Sequence, residues 1–346
     1  MKKFCFLFIV ILMITSCKKE SSKSTPSTKT DYEKLIDGLE YKGVYNLFLR
    51  GMDMISAETK LVEEGYTLLI PDDDQLQRMF ESKGYSNINE IPHNELKKML
   101  LNHFIFKKYT IDELKKIEEE GYHAKTMAQK RTSSGATHNL TAILDRNDND
   151  ITVNDAVVGD EVYNNNQFRA YSVNKAVAGS VLGNLIKKYD FYSNFLKGKS
   201  DFDILYSVNK SESSTIIGLT NDGLRSFIDT VGTKNIDNKF ITRFARNIYM
   251  PNVTINIDDV FQDTAFKQYE NLLGYYNKIS SLYMYDQVNV MRRFSVKFTD
   301  SFFPYEFFTV YYTPTAADGY YSIGNEFHVT ENGSLILYLG SKKREK

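Results

Sequence analysis

The pattern of apolar and polar residues between Tyr66 and Phe106 predicts a strand followed by helices. The run Tyr66–Ile70 is short and apolar, which is typical of a buried strand, and Pro71 ends its pairing because proline has no N–H to donate. The three acidic residues 72–74 then favour a helix start, through capping and through the helix dipole. Apolar residues follow at helical spacing, namely Leu76, Met79 and Phe80.

Apolar residues further along predict the remaining elements of this first unit. A second helix is expected from about His93, and it leads into a buried strand within Leu100–Phe106. Helical patterns also occupy residues 31–61, and Thr110 with Glu113 has the signature of a capping box at the start of a short helix. After this helix the pattern changes to the alternation typical of strands.

Two β-rich runs, Thr137–Leu144 and Ile151–Val158, flank a polar turn and predict a β-hairpin. Alternate side chains of the turn also fit the first ligands of an EF-hand calcium loop, namely Asp145, Asn147 and Asn149. However, the sixth position is Asp150 instead of glycine, and the twelfth is Ala156 where a bidentate glutamate is needed. A polar turn is therefore preferred over a metal site.

The strand-to-helix pattern occurs a second time. Residues Thr215–Leu224 repeat the order of Thr67–Leu76 without the proline, and Phe240–Tyr249 stands where the second strand would follow. This repetition suggests a second copy of the same unit. No counterpart of a third motif is evident after Pro251.

The remainder of the chain is expected to be a helix over residues 258–278 and then mostly strands. Asn332-Gly333 lies between two apolar runs and is the strongest hairpin signal in the chain. The predicted strands are Val288–Phe298, Tyr305–Tyr312, Tyr320–His328 and Ser334–Leu339.

The N-terminus has the features of an export signal. Lys2 and Lys3 precede the apolar run Phe4–Ile14, which is too short to span a bilayer but suits a secretory signal. Ile14–Cys17 resembles a lipobox, so residues 1–16 are predicted to be a lipoprotein signal peptide and Cys17 the lipidated residue. The alternatives are an uncleaved anchor or a chance cysteine.

Residues 17–30 are predicted to form a flexible tether, because a segment rich in Lys, Ser and Thr cannot bury enough apolar surface to become ordered. The charged residues 18–20 resemble the signals that send some lipoproteins to the outer face of the outer membrane, although a solvated linker explains them equally. The expected location is therefore the cell envelope, as an outer-membrane lipoprotein that faces either the cell surface or the periplasm. The expected partner at this end is the membrane, through the lipid on Cys17.

The sequence lacks the motifs of common catalytic and cofactor sites. It has no HExxH, GxSxG or GxGxxG motif, and the acidic residues 72–74 are better explained as a helix cap than as an acid/base pair. If Cys5 leaves with the signal and Cys17 carries lipid, no thiol is left for a disulfide or a thiolate site. The protein is therefore not expected to be an enzyme, and no cofactor or metal is expected.

The charge balance argues against nucleic acid as a partner. The chain has 43 basic and 44 acidic residues, a formal net charge of −1, and therefore no large positive field.

Three segments resemble motifs of the fasciclin (FAS1) domain. Thr67–Asp73 resembles the family's Thr-Val-Phe-Ala-Pro-Thr-Asn segment. Leu100–Ile105 resembles its Leu-Leu-x-Tyr-His-Val segment, with Asn102 in place of Tyr. Asn164–Val177 resembles the closing Asn-Gly-x-Ile-His-x-Ile-Asp segment, but it lacks the Gly, the His and the Asp. The resemblance covers roughly residues 35–180.

The resemblance implies an α+β fold, in which a FAS1-like β-sandwich or wedge with packed helices occupies residues 31–180. By the internal repeat, residues 181–346 are expected to form a second α+β domain, a degenerate FAS1-like copy.

Two places in the chain are candidates for binding. In the resembled family, the histidine that corresponds to His103 helps to hold the domain together and lies near segments implicated in adhesion. A hydrogen-bonded core histidine is nevertheless the preferred interpretation of His103. The aromatic run 302–312 could stack on sugar rings, and its candidate residues are Tyr305, Phe307 and Tyr311. With 24 Tyr and 23 Phe in the chain, core packing is again preferred.

The function implied by the resemblance is adhesion or extracellular recognition of a matrix protein, another envelope protein or a glycan. An alternative is an accessory surface lipoprotein of an outer-membrane glycan or nutrient uptake complex, which would have a transporter as its partner. A hydrolase is a third and disfavoured interpretation, because the sequence shows no nucleophile and no paired acids.

Overall fold

The structure is a computed structural model, and it describes residues 29–55, 65–119, 123–147, 149–255, 267–285, 290–313 and 327–343. We call residues 29–178 the first half and residues 179–343 the second half. The predicted signal peptide, Cys17 and most of the predicted tether lie outside the described residues. Within the described residues, no helix is long and apolar enough to cross a membrane.

The first half contains helices and strands in the order that the sequence predicts. Its helices are α1 (Asp31–Glu40), α2 (Asn46–Ile55), α3 (Asp73–Ser82), α4 (His93–Leu101) and α5 (Ile111–Glu119), with a short 3₁₀ turn at Ile88–Glu90. Its strands are β1 (Tyr66–Ile70), β2 (Phe104–Phe106), β3 (Ala124–Arg131), β4 (Thr137–Ala142), β5 (Leu144–Asn147), β6 (Asp150–Val153), β7 (Ala156–Asn164) and β8 (Phe168–Val173).

These eight strands form one sheet in the order β4-β3-β2-β1-β8-β7-β6-β5. The central strand, β1, is buried along its whole length. It pairs antiparallel with β2, where Leu68 faces Phe104, and parallel with β8, where Leu69 faces Tyr171. The apolar run Tyr66–Ile70 is therefore the strand around which the first half is built, as its composition predicts.

Capping explains where the helices of the first half begin. Asp72 accepts a hydrogen bond from the N–H of Gln75, and the Gln75 side chain accepts one from the N–H of Asp72, which completes a capping box at α3. The predicted box before α5 is also present, because Thr110 Oγ1 and the Glu113 carboxylate exchange hydrogen bonds with the opposite backbone N–H groups. Both helix starts are confirmed.

The second half contains α6 (Leu182–Ile186), a π-helix at Phe191–Leu196, α7 (Ile204–Lys210), α8 (Asn221–Val231), a 3₁₀ turn at Thr233–Asn235 and α9 (Asn238–Ile248). Its strands are β9 (Ser214–Leu219), β10 (Tyr249–Pro251), β11 (Lys267–Glu270), β12 (Tyr276–Tyr285), β13 (Val290–Phe298), β14 (Tyr305–Thr313), β15 (Phe327–Thr330), β16 (Gly333–Tyr338) and β17 (Gly340–Lys343).

The second half repeats the topology of the first. Its buried strand β9 leads through a capped helix, a 3₁₀ turn and a second helix into β10, which pairs antiparallel with β9. The strand β16 then pairs parallel with β9, and the sheet order β10-β9-β16-β15 matches β2-β1-β8-β7. Thr220 caps α8 through the N–H of Gly223, as Asp72 caps α3 through Gln75. The predicted α+β fold is confirmed, and the repeated strand order supports the predicted second, degenerate copy.

The second copy does have a third motif, contrary to the sequence analysis. It is the hairpin β15–β16, in which Thr330 faces Gly333 across the turn at Glu331 and Asn332. The sequence predicts a hairpin at Asn332-Gly333, but its residues do not mark that hairpin as the counterpart of the closing segment. A five-stranded sheet, β11-β12-β13-β14-β17, receives four of its strands from the chain between β10 and β15, which separates the motifs.

The helix predicted over residues 258–278 is wrong where the structure describes it. Residues 267–270 form β11, whose register with β12 runs from Lys267 opposite Ile279 to Glu270 opposite Tyr276. Pairing with a neighbouring strand overrides the local helical pattern here. Residues 256–266 lie outside the described part.

The two halves meet along a seam that involves the hairpin β15–β16. Val329 of β15 packs into the apolar cluster of the first half, and Ile143 packs into that of the second half. Polar contacts continue the seam, since Lys130 Nζ donates to the Glu331 carbonyl at 2.6 Å and Ser133 N–H donates to the Thr254 carbonyl at 2.9 Å.

Candidate functional site

The most exposed large apolar side chains of the first half lie on or near the turn between α1 and α2. We call residues 41–44 the α1–α2 turn. Tyr41 is 93% exposed and Val44 is 48% exposed. Gly43 has a backbone φ of +69°, which favours glycine, so the sequence is adapted to this sharp reversal. The turn therefore presents an aromatic and an aliphatic side chain to the outside.

Two clefts lie beside this turn. The first has a volume of about 600 Å³ and lies where the parallel strands β1 and β8 end; its lining includes Val44, Ile70, Asp72, Asp74, Gly159 and Asn174. The second, of about 530 Å³, lies between α1 and α2 and is lined by Tyr32, Ile36, Glu40, Asn46, Leu49, Arg50 and Asp53. An exposed turn beside concave surface suits recognition of another molecule.

Asp73 fixes the shape of the α1–α2 turn. Its carboxylate accepts hydrogen bonds from the Leu47 N–H at 2.7 Å and from Asn46 Nδ2 at 3.0 Å. Its own N–H donates to the Val44 carbonyl at 3.0 Å. Together with Asp72, which caps α3, this residue has a structural task, so the capping interpretation of residues 72–74 is supported against an acid/base pair. Asp74 is exposed.

His103 is a fully buried histidine that uses both ring nitrogens. Nδ1 donates to the Met99 carbonyl at 3.0 Å, and Nε2 accepts from the Val177 N–H at 2.9 Å. This pattern assigns the neutral tautomer with the proton on Nδ1. Burial lowers the pKa of His103 to about 4. His103 thus ties the end of α4 to the end of the first half, and it offers no surface to a ligand.

Comparison with protein families identifies this region. Residues 44–178 match the model of the fasciclin domain. The chain therefore contains a fasciclin domain. The match begins at Val44, the last residue of the α1–α2 turn, so Tyr41 lies just before it; the match ends at Ala178, immediately after the hydrogen bond between His103 and Val177.

Two further comparisons were made with known proteins. Among solved structures, the chain is similar to a FAS1 domain pair from the insect cell adhesion molecule fasciclin I, with 10% sequence identity and a TM-score of 0.48. The alignment covers 88% of this chain and 98% of that one. The search of curated proteins found no match.

Three rings of the aromatic run after the fasciclin domain are buried, namely Phe303, Tyr305 and Phe307. Tyr305 is 8% exposed and Phe307 is fully buried, and both rings pack edge-on against Phe227 of α8 with centroids 5.3 Å away. Neither ring has a face free for a sugar, so the hypothesis of ligand stacking is corrected for these two residues and the core interpretation describes them. The Tyr311 side chain and Cys17 lie outside the described residues.

One ring of the same run is exposed, and sequence analysis did not single it out. Phe302 is 74% exposed, and the Arg243 guanidinium lies 4.8 Å from its centroid. Arg243 is held in turn by Asp300, through two hydrogen bonds of 2.5 Å. Asp300 also accepts a hydrogen bond from the Phe302 N–H at 2.9 Å, so the backbone that carries the exposed ring is held in place. The clue in the sequence is the turn Asp300-Ser301, which places Phe302 before the strand.

A buried polar network supports this exposed ring. Asp300 is fully buried and accepts a third side-chain hydrogen bond from Asn247, which in turn accepts one from Asn271. Burial alone would raise the pKa of Asp300, but the hydrogen bonds from Arg243, Asn247 and the Phe302 N–H outweigh it and hold the pKa below its usual value. The carboxylate therefore stays charged and the network stays intact at neutral pH.

The predicted absence of a metal site stays a prediction for the whole chain. Within the described residues, no group of three or more His, Cys, Asp or Glu side chains could hold a metal ion. Asp145 of the candidate calcium turn forms an ion pair with Lys188 at 2.6 Å. Asn147 and Asp150 face each other as paired strand residues, with the turn between them.

Proposed function

We propose that this chain is a non-enzymatic, lipid-anchored protein of the cell envelope whose fasciclin domain mediates adhesion or extracellular recognition. The observation that carries the proposal is the match of residues 44–178 to the fasciclin domain. The lipid on Cys17 and the tether 17–30 would hold this domain at the outer membrane, with its recognition surface turned to the outside. The partner would be an envelope or matrix protein, or a glycan.

The surface that we propose for recognition is the α1–α2 turn with its two clefts. Tyr41 supplies a large exposed ring, of the kind that carries much of the binding energy in protein interfaces. The clamp from Asp73 to residues 44, 46 and 47 keeps the turn in one conformation, which lowers the entropy that binding would cost. Several copies on one membrane would add avidity.

A second candidate function, the accessory subunit of a glycan uptake complex, is favoured by Phe302. Exposed aromatic rings bind the apolar faces of sugars, and this ring is fixed by Arg243 and Asp300. This candidate would need an outer-membrane transporter as its protein partner.

Binding of the purified chain to an array of glycans and of envelope and matrix proteins tests the proposal. Recognition by the fasciclin domain predicts a protein or glycan ligand whose binding survives the substitution Phe302→Ala. A glycan ligand whose binding is lost in Phe302→Ala, together with a transporter in a pull-down from the native membrane, would favour the uptake complex instead. Turnover of any glycan on the array would contradict a non-enzymatic role.

A further inference from the structure

Two histidines from different halves of the chain lie against each other in the seam. His123, just before β3, and His328, in β15, have ring centroids 4.7 Å apart. Tyr189 completes the cluster, because its hydroxyl lies 3.0 Å from His328 Nε2 and its ring stacks on His123 at 5.9 Å. His328 is buried. The seam therefore contains two imidazoles in direct contact, one from each half.

A buried cation lies beside this pair. Lys125 Nζ donates to Thr141 Oγ1 at 3.1 Å and to the carbonyl of Phe327, the residue before His328, at 3.3 Å. Burial lowers the pKa of Lys125 to about 8, so this group is still charged at neutral pH. The histidine pair thus lies close to a positive charge that is poorly hydrated.

The other charged groups on the surrounding elements are engaged elsewhere. Lys188, next to Tyr189, forms an ion pair with Asp145 at 2.6 Å. Beyond the other end of β15, Glu331 forms an ion pair with Lys98 and lies beside Lys130, whose Nζ donates to its carbonyl. Among these charged groups, Lys125 is the one that is hydrogen-bonded to the residue next to His328.

We propose that this seam is a pH-sensitive junction, which loosens when His123 or His328 takes up a proton. A proton on either ring would place a positive charge in the seam, where His328 is 1% exposed, and burial disfavours the charged form of a histidine. Separation of the two rings would hydrate the charge. Histidine is the side chain that changes charge between pH 5 and 8, so we expect mild acid to loosen the junction.

Loosening of the seam should leave each half folded. The rings lie between the halves, whereas each apolar cluster comes mainly from one half, with Val329 and Ile143 as the buried residues that cross the seam in the described part of the chain. His103, inside the first half, has a pKa of about 4 and stays neutral in mild acid. Acid would therefore change the arrangement of the fasciclin domain relative to the second half, and so would change what the chain presents to a partner.

The chain contains no tryptophan, so one introduced tryptophan can report on the seam. Phe327→Trp places this reporter next to His328, at a position that is partly buried against the second half. In the full-length chain, we expect its emission maximum to shift to the red, reversibly, from about pH 7.5 to about pH 5.5, which brackets the ordinary histidine pKa. Adding His123→Gln and His328→Gln together should abolish this shift.

The matched control is His93→Gln, because His93 is exposed on α4, and it should leave the shift unchanged. The proposal is overturned if the reporter shows no shift, or if the shift persists without His123 and His328. Should Phe327→Trp disturb folding, the same question is answered in the unmodified chain by NMR. The ring protons of the two histidines must then titrate in two coupled steps, and independent titration would contradict the proposal.

Discussion

Thr67 and Thr215 make the same pair of hydrogen bonds in the two halves of the chain. The Thr67 hydroxyl donates to the Lys107 carbonyl at 2.9 Å and accepts from the Tyr109 N–H at 2.8 Å. The Thr215 hydroxyl donates to the Val253 carbonyl at 2.8 Å and accepts from the Ile255 N–H at 3.1 Å. In both halves a buried threonine of the central strand thus fixes the chain just after its antiparallel neighbour.

We predict that Thr67→Val and Thr215→Val each lower the free energy of unfolding by about 1–3 kcal/mol. The substitution keeps the shape of the side chain but removes the hydroxyl that bonds two backbone groups, of which the Ile255 N–H also donates to Ser334 Oγ at 3.2 Å. Denaturant titration of the purified chain measures the change. Thr137→Val is the control, because Thr137 is exposed on β4, and it should change stability by less than about 0.5 kcal/mol. Equal effects at all three positions would contradict the assignment.

Stability of the first half should fall as the pH drops from about 6.5 to about 4 because of His103. Its pKa in the folded chain is about 4, so the unfolded chain binds more protons throughout this window. The loss amounts to roughly 3 kcal/mol at the lower end. Urea titrations at several pH values should show that His103→Gln weakens this pH dependence, whereas His93→Gln, at an exposed position, should retain it.

Asp300→Asn should destabilise the second half by about 1–3 kcal/mol, because it removes the buried carboxylate that accepts hydrogen bonds from Arg243 and Asn247. The comparison is Asp222→Asn, which breaks the ion pair with Arg225 on the exposed surface of α8. That change should cost less than about 1 kcal/mol. Thermal unfolding of both variants measures the difference, and similar losses would show that the Asp300 network is not the anchor described here.

Cys17→Ser should release the chain from the membrane fraction, if this residue carries the lipid anchor. Lasting attachment requires acyl chains, and serine cannot form the thioether that holds them. Cell fractionation with a labelled fatty acid measures both attachment and lipidation. Cys5→Ser is the matched control and should leave both unchanged. Continued attachment of the Cys17→Ser chain would show that another segment anchors it.

The local signals of the fold could be predicted from the sequence, because they act over a few residues. The strand Tyr66–Ile70, the cap at Asp72 and the capping box of Thr110 with Glu113 are all short-range features, and all are present. The helix expected over residues 258–278 fails where it can be described, because pairing between β11 and β12 decides its conformation. Strand pairing depends on residues that a local pattern does not contain.

The candidate sites were harder to predict, because exposure depends on tertiary contacts. Tyr305 and Phe302 belong to the same aromatic run, yet one is buried against α8 and the other is exposed above Arg243. The exposed turn at Tyr41 and Val44 carries no motif at all. His123 and His328 lie far apart in the sequence, so only the folded chain shows that they are in contact.

The most direct test of the account is the affinity of the chain for the ligand captured on the array, measured with variants of the α1–α2 turn. Tyr41→Ser and Val44→Ser, combined, should weaken binding by at least about tenfold, since each removes an exposed anchor. Tyr206→Ser is the control, because Tyr206 is an exposed tyrosine of the second half. Unchanged affinity in the turn variant, or an equal loss in the control, would contradict recognition through this face of the fasciclin domain.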